Sequence, residues 1–180
     1  MNHPLRLTPL PDAEWDQESR AALASLIPAE RANVRGAGNV LSTMLRHPAL
    51  TAAYLPFNAY LLTASTLSQR IREVALLRVV HRSDCDYLWS HHLPIAARAG
   101  LTDAEINQIR IGRSEDHNDQ LVVQAVDELT GTCTIGQDTW NQLRNTFTER
   151  QCMDLTFTIG GYLLLALVVN TFGVQDEEQQ

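Results

Sequence analysis

Lysine is absent, and all fourteen cationic residues of this 180-residue chain are arginine. No side chain can therefore form a Schiff base with a carbonyl substrate. Any general base must be His, Glu, Asp, Tyr or Cys. Cysteine is scarce as well. Cys85, Cys133 and Cys152 are odd in number and widely spaced, which rules out a disulfide framework. No GxGxxG follows a strand-like run and no Walker pattern occurs, so no nucleotide or flavin is expected and no cofactor is assigned. Gly36-Ala-Gly38 reads as a turn. Met1 to Pro11 holds Arg6 but no apolar stretch of signal-peptide length, and a cytoplasmic location is the expectation. The longest apolar run, Leu155 to Val169, contains Thr156, Thr158, Gly160 and Gly161 and falls short of the about 20 residues of a membrane span. It reads as a buried helix. The net charge of −7 argues against nucleic acid and against an anionic membrane as partners.

What is present points to an all-α fold. The length and the apolar share of 44% suit one domain over residues 1–180. Residues 1–11, with Pro9 and Pro11, read as an extended arm, and a short helix is expected from Asp12 to Leu26. Asn33 to Asn39 reads as a glycine loop. Pro48 fits the first turn of a helix through Leu62, kinked at Pro56. Three capping boxes are expected, at Thr66 with Gln69, Thr102 with Glu105, and Thr148 with Gln151. Further helices are expected from Asn118 to Thr130, stopped by Gly131, and from Asp138 to Phe147. Thr156 to Ile159 is strand-like but lies inside a longer apolar block. Residues 175–180 form a polar tail expected to fray.

The stretch from Arg70 to Gly100 carries the chemistry. Glu73 lies among Ile71, Val74, Ala75 and Leu77. It is either a charge on a solvated edge, paired with Arg70 or Arg78, or a buried functional carboxylate. A second helix is expected to begin near Asp84. On it Cys85, Leu88, Trp89 and His92 share one face at i, i+3, i+4 and i+7. Cys85 and His92 would stand about 10 Å apart along the axis, so a bridging group is needed, and Glu73 could supply it. A metal site of His81, Cys85 and His91 or His92 lacks any tight ligand pair, and no metal is assigned. Pro94 should loosen the helix just past His92.

These residues resemble the carboxymuconolactone decarboxylase superfamily, which includes the AhpD-type alkylhydroperoxidases. Glu73 precedes Cys85 by twelve positions, His92 follows it by seven, and Cys85-x-Tyr87-x-Trp89-x-x-His92 leads into Ala97 to Glu105. Gly36 to Asn39, Arg46 to Pro48, Phe57, Asn58 and Asn170-x-Phe-Gly-Val174 extend the likeness to a longer subgroup. The resemblance implies an AhpD-like helical bundle that forms homo-oligomers, commonly trimers or hexamers. It also implies catalytic roles for Glu73, Cys85, Tyr87 and His92, with Leu88 and Trp89 against a small-molecule substrate. The chain departs from the peroxidase pattern at Leu88, where the reactive second cysteine would stand. It departs there too from the acidic residue of the decarboxylase branch.

Three functions follow from this. The first is a cofactor-independent lyase or isomerase of a small carboxylated or lactone-like metabolite. Here His92 is acid or base, Glu73 orients it, Tyr87 donates to an enolate, and Arg72, Arg78 or Arg82 grips a carboxylate. The second is a thiol peroxidase using Cys85 alone, its thiolate favoured by the helix N-terminus. The third is a helical oligomer that binds a small ligand without catalysis.

Overall fold

The computed structural model describes residues 3–177, and among them regular structure is entirely helical. Two compact units arise: one from the chain up to Ala64 together with the chain from Val168, the other from Ser65 to Leu167.

The first unit holds α1 (Gln17–Ala22), α2 (Val34–Met44) and α3 (Pro48–Thr63). One helix was expected from Asp12 to Leu26, but Asp12–Glu14 form only a short 3-10 turn and α1 spans just Gln17–Ala22. Asp16 starts α1 instead, its carboxylate accepting from Ser19 N–H at 2.8 Å. Trp15, Leu23, Leu45 and Leu55 make the core here. The expected loop at Asn33 to Asn39 is corrected. Asn33 Oδ1 accepts from Gly36 N–H at 2.9 Å and starts α2, and the helix breaks only at Gly38 (φ 70°) before resuming. A side-chain cap there outweighed the glycine content. Pro48 occupies the first turn of α3, and Pro56 lies inside it. The arm from His3 is held by Arg6 and Leu7 N–H groups donating to Phe172 O. A Cβ at Gly173 (φ +67°) would lie 2.0 Å from Pro4 O, so this position admits only glycine. Asn39 donates to Gln175 O, while residues 178–180 of the tail lie outside the described residues.

The second unit is built around α4 (Gln69–Arg82), followed by α5 (Asp86–Arg98), α6 (Asp103–Arg110), α7 (His117–Thr132), α8 (Gln137–Thr146) and α9 (Glu149–Phe172), whose last turn belongs to the first unit. α4 is buried on all sides from Glu73 to Val80 and is flanked by α5, α6 and α7. Two arginines tie it down. Arg70 donates to Glu105 and Asp119 at 2.6 Å each. Arg78 is bidentate on Asp127 and also donates to Ile109 O and Arg110 O.

The caps follow the sequence in two of three places. Thr102 with Glu105 forms a full capping box, and Thr148 and Gln151 bond reciprocally. Thr66 does not cap α4. Ser68 does, accepting from Ile71 N–H, because Thr66 is engaged by the Asp154 carboxylate through N–H (2.6 Å) and Oγ1 (2.7 Å). α7 runs past Gly131 and ends on Cys133, which takes the left-handed conformation (φ 59°) expected of a glycine. The strand-like Thr156 to Ile159 is helical within α9. By length and composition alone α9 could cross a membrane, but half of its most apolar stretch is buried in the protein.

Candidate active site

The turn between α4 and α5 sets the site. Asp84 takes a left-handed conformation (φ 49°), Cys85 N–H donates to Val80 O, and α5 starts with Cys85 at its N-cap, two residues later than expected. Glu73 stands nine residues before the end of α4, and His92 six residues past the start of α5. At about 1.5 Å per residue, a helix returning alongside brings the two to nearly the same level.

They meet. His92 Nδ1 and Glu73 Oε2 are 2.9 Å apart. Glu73 is fully buried and His92 is 9% exposed, so the solvated-edge reading of Glu73 is overturned, as is its pairing with Arg70 or Arg78. A carboxylate accepts, so this bond keeps the proton on Nδ1 and leaves Nε2 as the open ring nitrogen. Among the described residues no group hydrogen-bonds Nε2. The other Glu73 oxygen, Oε1, accepts no hydrogen bond and faces Arg72 Nε at 3.5 Å. Tyr162 of α9 sets its ring edge-on to His92, with centroids 5.6 Å apart.

Of the three arginines considered for a carboxylate, Arg78 is spent on Asp127, and Arg82 donates to Thr130 and approaches Asp127. Arg72 alone lies beside Glu73.

Cys85 is not part of this pair. No hydrogen bond joins it to Glu73 or His92, so Glu73 does not bridge the two. Its thiol is pushed up to about 11 because burial disfavours the thiolate, an effect that the Leu88 N–H only partly offsets. Burial thus opposes the thiolate that the start of the helix was expected to favour. Cys85 instead lines a pocket of about 100 Å³ with His81, Asp84, Trp89 and Arg110. Burial, then Arg110 and Arg78, hold His81 below the usual histidine range. A neighbouring pocket of about 330 Å³ is lined by Trp89, Leu93, Asp103, Ile106, Asn107 and Arg110.

The remaining expected residues scatter around α5. Leu88 is buried. Trp89 carries the Arg110 guanidinium over its ring at 5.2 Å and touches His81. Tyr87 stacks on the exposed His91, five positions from His92 and so about 140° around the helix. His81, His91 and His92 thus face different surroundings, and among the described residues no three His, Cys, Asp or Glu side chains group as metal ligands.

Tyr162 and Arg110 were missed from sequence. A signal for Tyr162 existed: Asp154, Thr158 and Tyr162 recur every four residues within an apolar helix, and all three are buried. For Arg110 no local signal distinguishes a ring-stacked arginine from a solvated one.

Residues 48–130 match the carboxymuconolactone decarboxylase family, a span that contains Glu73, Cys85 and His92. No curated protein matches the chain. Among solved structures, the chain is similar to the alkylhydroperoxidase AhpD core of an uncharacterized peroxidase-related protein from Ralstonia eutropha JMP134. That likeness has a TM-score of 0.77 and 17% identity and covers 98% of this chain and 94% of that one. A protein of unknown function from Agrobacterium tumefaciens, related by its description to the antioxidant defence protein AhpD, aligns with a TM-score of 0.67 and 19% identity over 74% of this chain and 94% of that one.

Proposed function

We propose that the chain, whose residues 48–130 match the carboxymuconolactone decarboxylase family and whose fold is AhpD-like, is a cofactor-independent acid–base enzyme acting on a small carboxylated or lactone-like metabolite. The observation that carries this reading is the buried hydrogen bond between Glu73 and His92, with Nε2 left open. In the neutral imidazole, Nε2 takes a proton from a carbon next to a carbonyl, and the C–H electron pair moves onto that oxygen as an enolate. The imidazolium so formed is stabilised by Glu73, which cannot be screened by water. Returning the proton to a different carbon completes an isomerisation. Where the protonated imidazole meets a carboxylated substrate, carbon dioxide leaves, its C–C pair forms the enolate, and Nε2–H protonates it. Arg72 and Tyr162 act as positioning residues, on the carboxylate and the ring respectively.

The test is turnover of a panel of carboxylated lactones by His92→Gln, Glu73→Gln and Cys85→Ser. A positioned general acid or base contributes about 10²–10⁴-fold. His92→Gln should lose a factor in that range, Glu73→Gln should also fall, and Cys85→Ser should keep most of its activity. Loss in Cys85→Ser alone would transfer the chemistry to the thiol, and indifference to all three would favour a binding role.

A thiol-peroxidase reading has one observation in its favour: Cys85 faces a pocket, with the Leu88 N–H directed at it. It needs substrate binding to offset the burial that keeps the thiol protonated.

A further inference from the structure

α5 and α6 leave a groove between them that the acid–base pair does not use. Trp89 and Leu93 of α5 form one wall, and Asp103, Ile106, Asn107 and Arg110 of α6 the other. Its volume of about 330 Å³ lies at the lower end of the about 300–1,000 Å³ of small-molecule sites. Trp89 and Leu93 stand about 60° and 100° around α5 from His92, so the groove lies on a different face of that helix from the one that meets Glu73.

Arg110 is held at one end of this groove. Its guanidinium lies over the Trp89 ring at 5.2 Å. Arg78 fixes the backbone behind it by donating to Ile109 O and Arg110 O. The four arginines of α4 each face a carboxylate: Arg70 has Glu105 and Asp119, Arg72 has Glu73, and Arg78 and Arg82 share Asp127. Among the described residues no carboxylate pairs with Arg110. A fixed, stacked guanidinium without an anion, set beside apolar side chains, has the form of a carboxylate grip.

We propose that the α5–α6 groove binds a small monocarboxylic acid with a flat apolar body, its carboxylate forked by Arg110 and its body laid on Trp89, Leu93 and Ile106. This binding is separate from the reaction assigned to Glu73 and His92 and does not depend on it. Charge sets the valence of the ligand. Asp103 lines the groove, and Asp84 and Asp86 line the smaller pocket that shares Trp89 and Arg110 with it. His81 adds no charge at neutral pH, because burial, then Arg110 and Arg78, hold it below the usual histidine range against the pull of Asp84 and Asp86. Arg110 is thus the one cation among the lining residues. One cation near three carboxylates suits a singly charged acid and disfavours a phosphate group, which carries about −1.5 to −2. The apolar wall in turn favours a ring over a bare inorganic ion.

Benzoate is the probe. The three tryptophans give three indole N–H signals in a 1H–15N spectrum, and Trp89→Phe identifies that of Trp89. Benzoate should shift it saturably, with half-saturation near or below about 1 mM, together with the backbone signals of Leu93, Ile106 and Asn107. Benzamide, which keeps the ring without the charge, and inorganic phosphate should leave these signals in place. Arg110→Gln should weaken benzoate about tenfold or more, with unchanged circular dichroism because Arg110 is exposed. Arg110→Lys should fall between the two, keeping the charge and losing the fork. No saturable shift of Trp89, equal shifts with benzamide or phosphate, or full affinity in Arg110→Gln would overturn the proposal. So would shifts centred on His92 and Tyr162, which would place the acid at the acid–base pair instead.

Discussion

Two residues of one short segment show how burial sets chemistry. Glu73 and Cys85 are both buried, yet only Glu73 has a buried polar partner. The carboxylate receives the His92 N–H and stands beside Arg72, whereas the thiol has only the Leu88 N–H against its loss of water. A buried acid without a charged partner keeps its proton, so Cys85 should be a poor nucleophile at neutral pH. Alkylation by iodoacetamide, followed by peptide mass spectrometry, should show its rate still rising between about pH 9 and 11, towards the raised pKa. Exposed Cys133 should react first. A Cys85 rate that levels off near neutral pH would show that the thiolate is stabilised after all. Glu73, Cys85 and His92 were legible as candidates in the sequence because their spacing is regular. Which of them are coupled was not, since sequence separation does not report what a side chain touches across two helices.

At the scale of the element, caps decide where helices begin, and the competition for Thr66 shows how tertiary contact overrides a local pattern. Thr66 and Gln69 have the residue types of a capping box, but Asp154, 88 positions away, takes both Thr66 donors. Ser68 then becomes the N-cap of α4. Chemical denaturation should separate these roles. Asp154→Ala leaves the Thr66 N–H and hydroxyl without their carboxylate and should cost about 2 kcal/mol. Ser68→Ala should cost about 1 kcal/mol as a lost cap, while exposed Gln69→Ala should stay within about 0.5 kcal/mol. A large loss in Gln69→Ala would restore the capping box at Thr66. The box at Thr102 was readable because its partners lie within one turn. The early start of α2 was hidden by Gly36 and Gly38, though the Asn33 cap that starts it was in view.

Across the whole molecule, ionisation couples the packed helices to pH. Glu105 is held down to about 2 by the Thr102 N–H and hydroxyl and by Arg70, which also reaches Asp119 on α7. Its folded pKa lies below its unfolded value, so its contribution is fully present above about pH 4.5 and is lost as pH falls towards about 2. Thermal melts from about pH 5 to 2 should therefore fall steeply, and Glu105→Gln should flatten part of that slope. An unchanged slope in Glu105→Gln would show that other carboxylates govern acid unfolding. The helical class, most element positions and the candidate catalytic groups were legible along the chain, because periodicity, caps and motif spacing are local properties. Packing between helices set the rest: Glu73 grips His92, Cys85 stands apart in its own pocket, Arg78 is spent on Asp127, and one face of α9 is left exposed. Each of those depends on which surfaces meet when helices distant in sequence lie side by side.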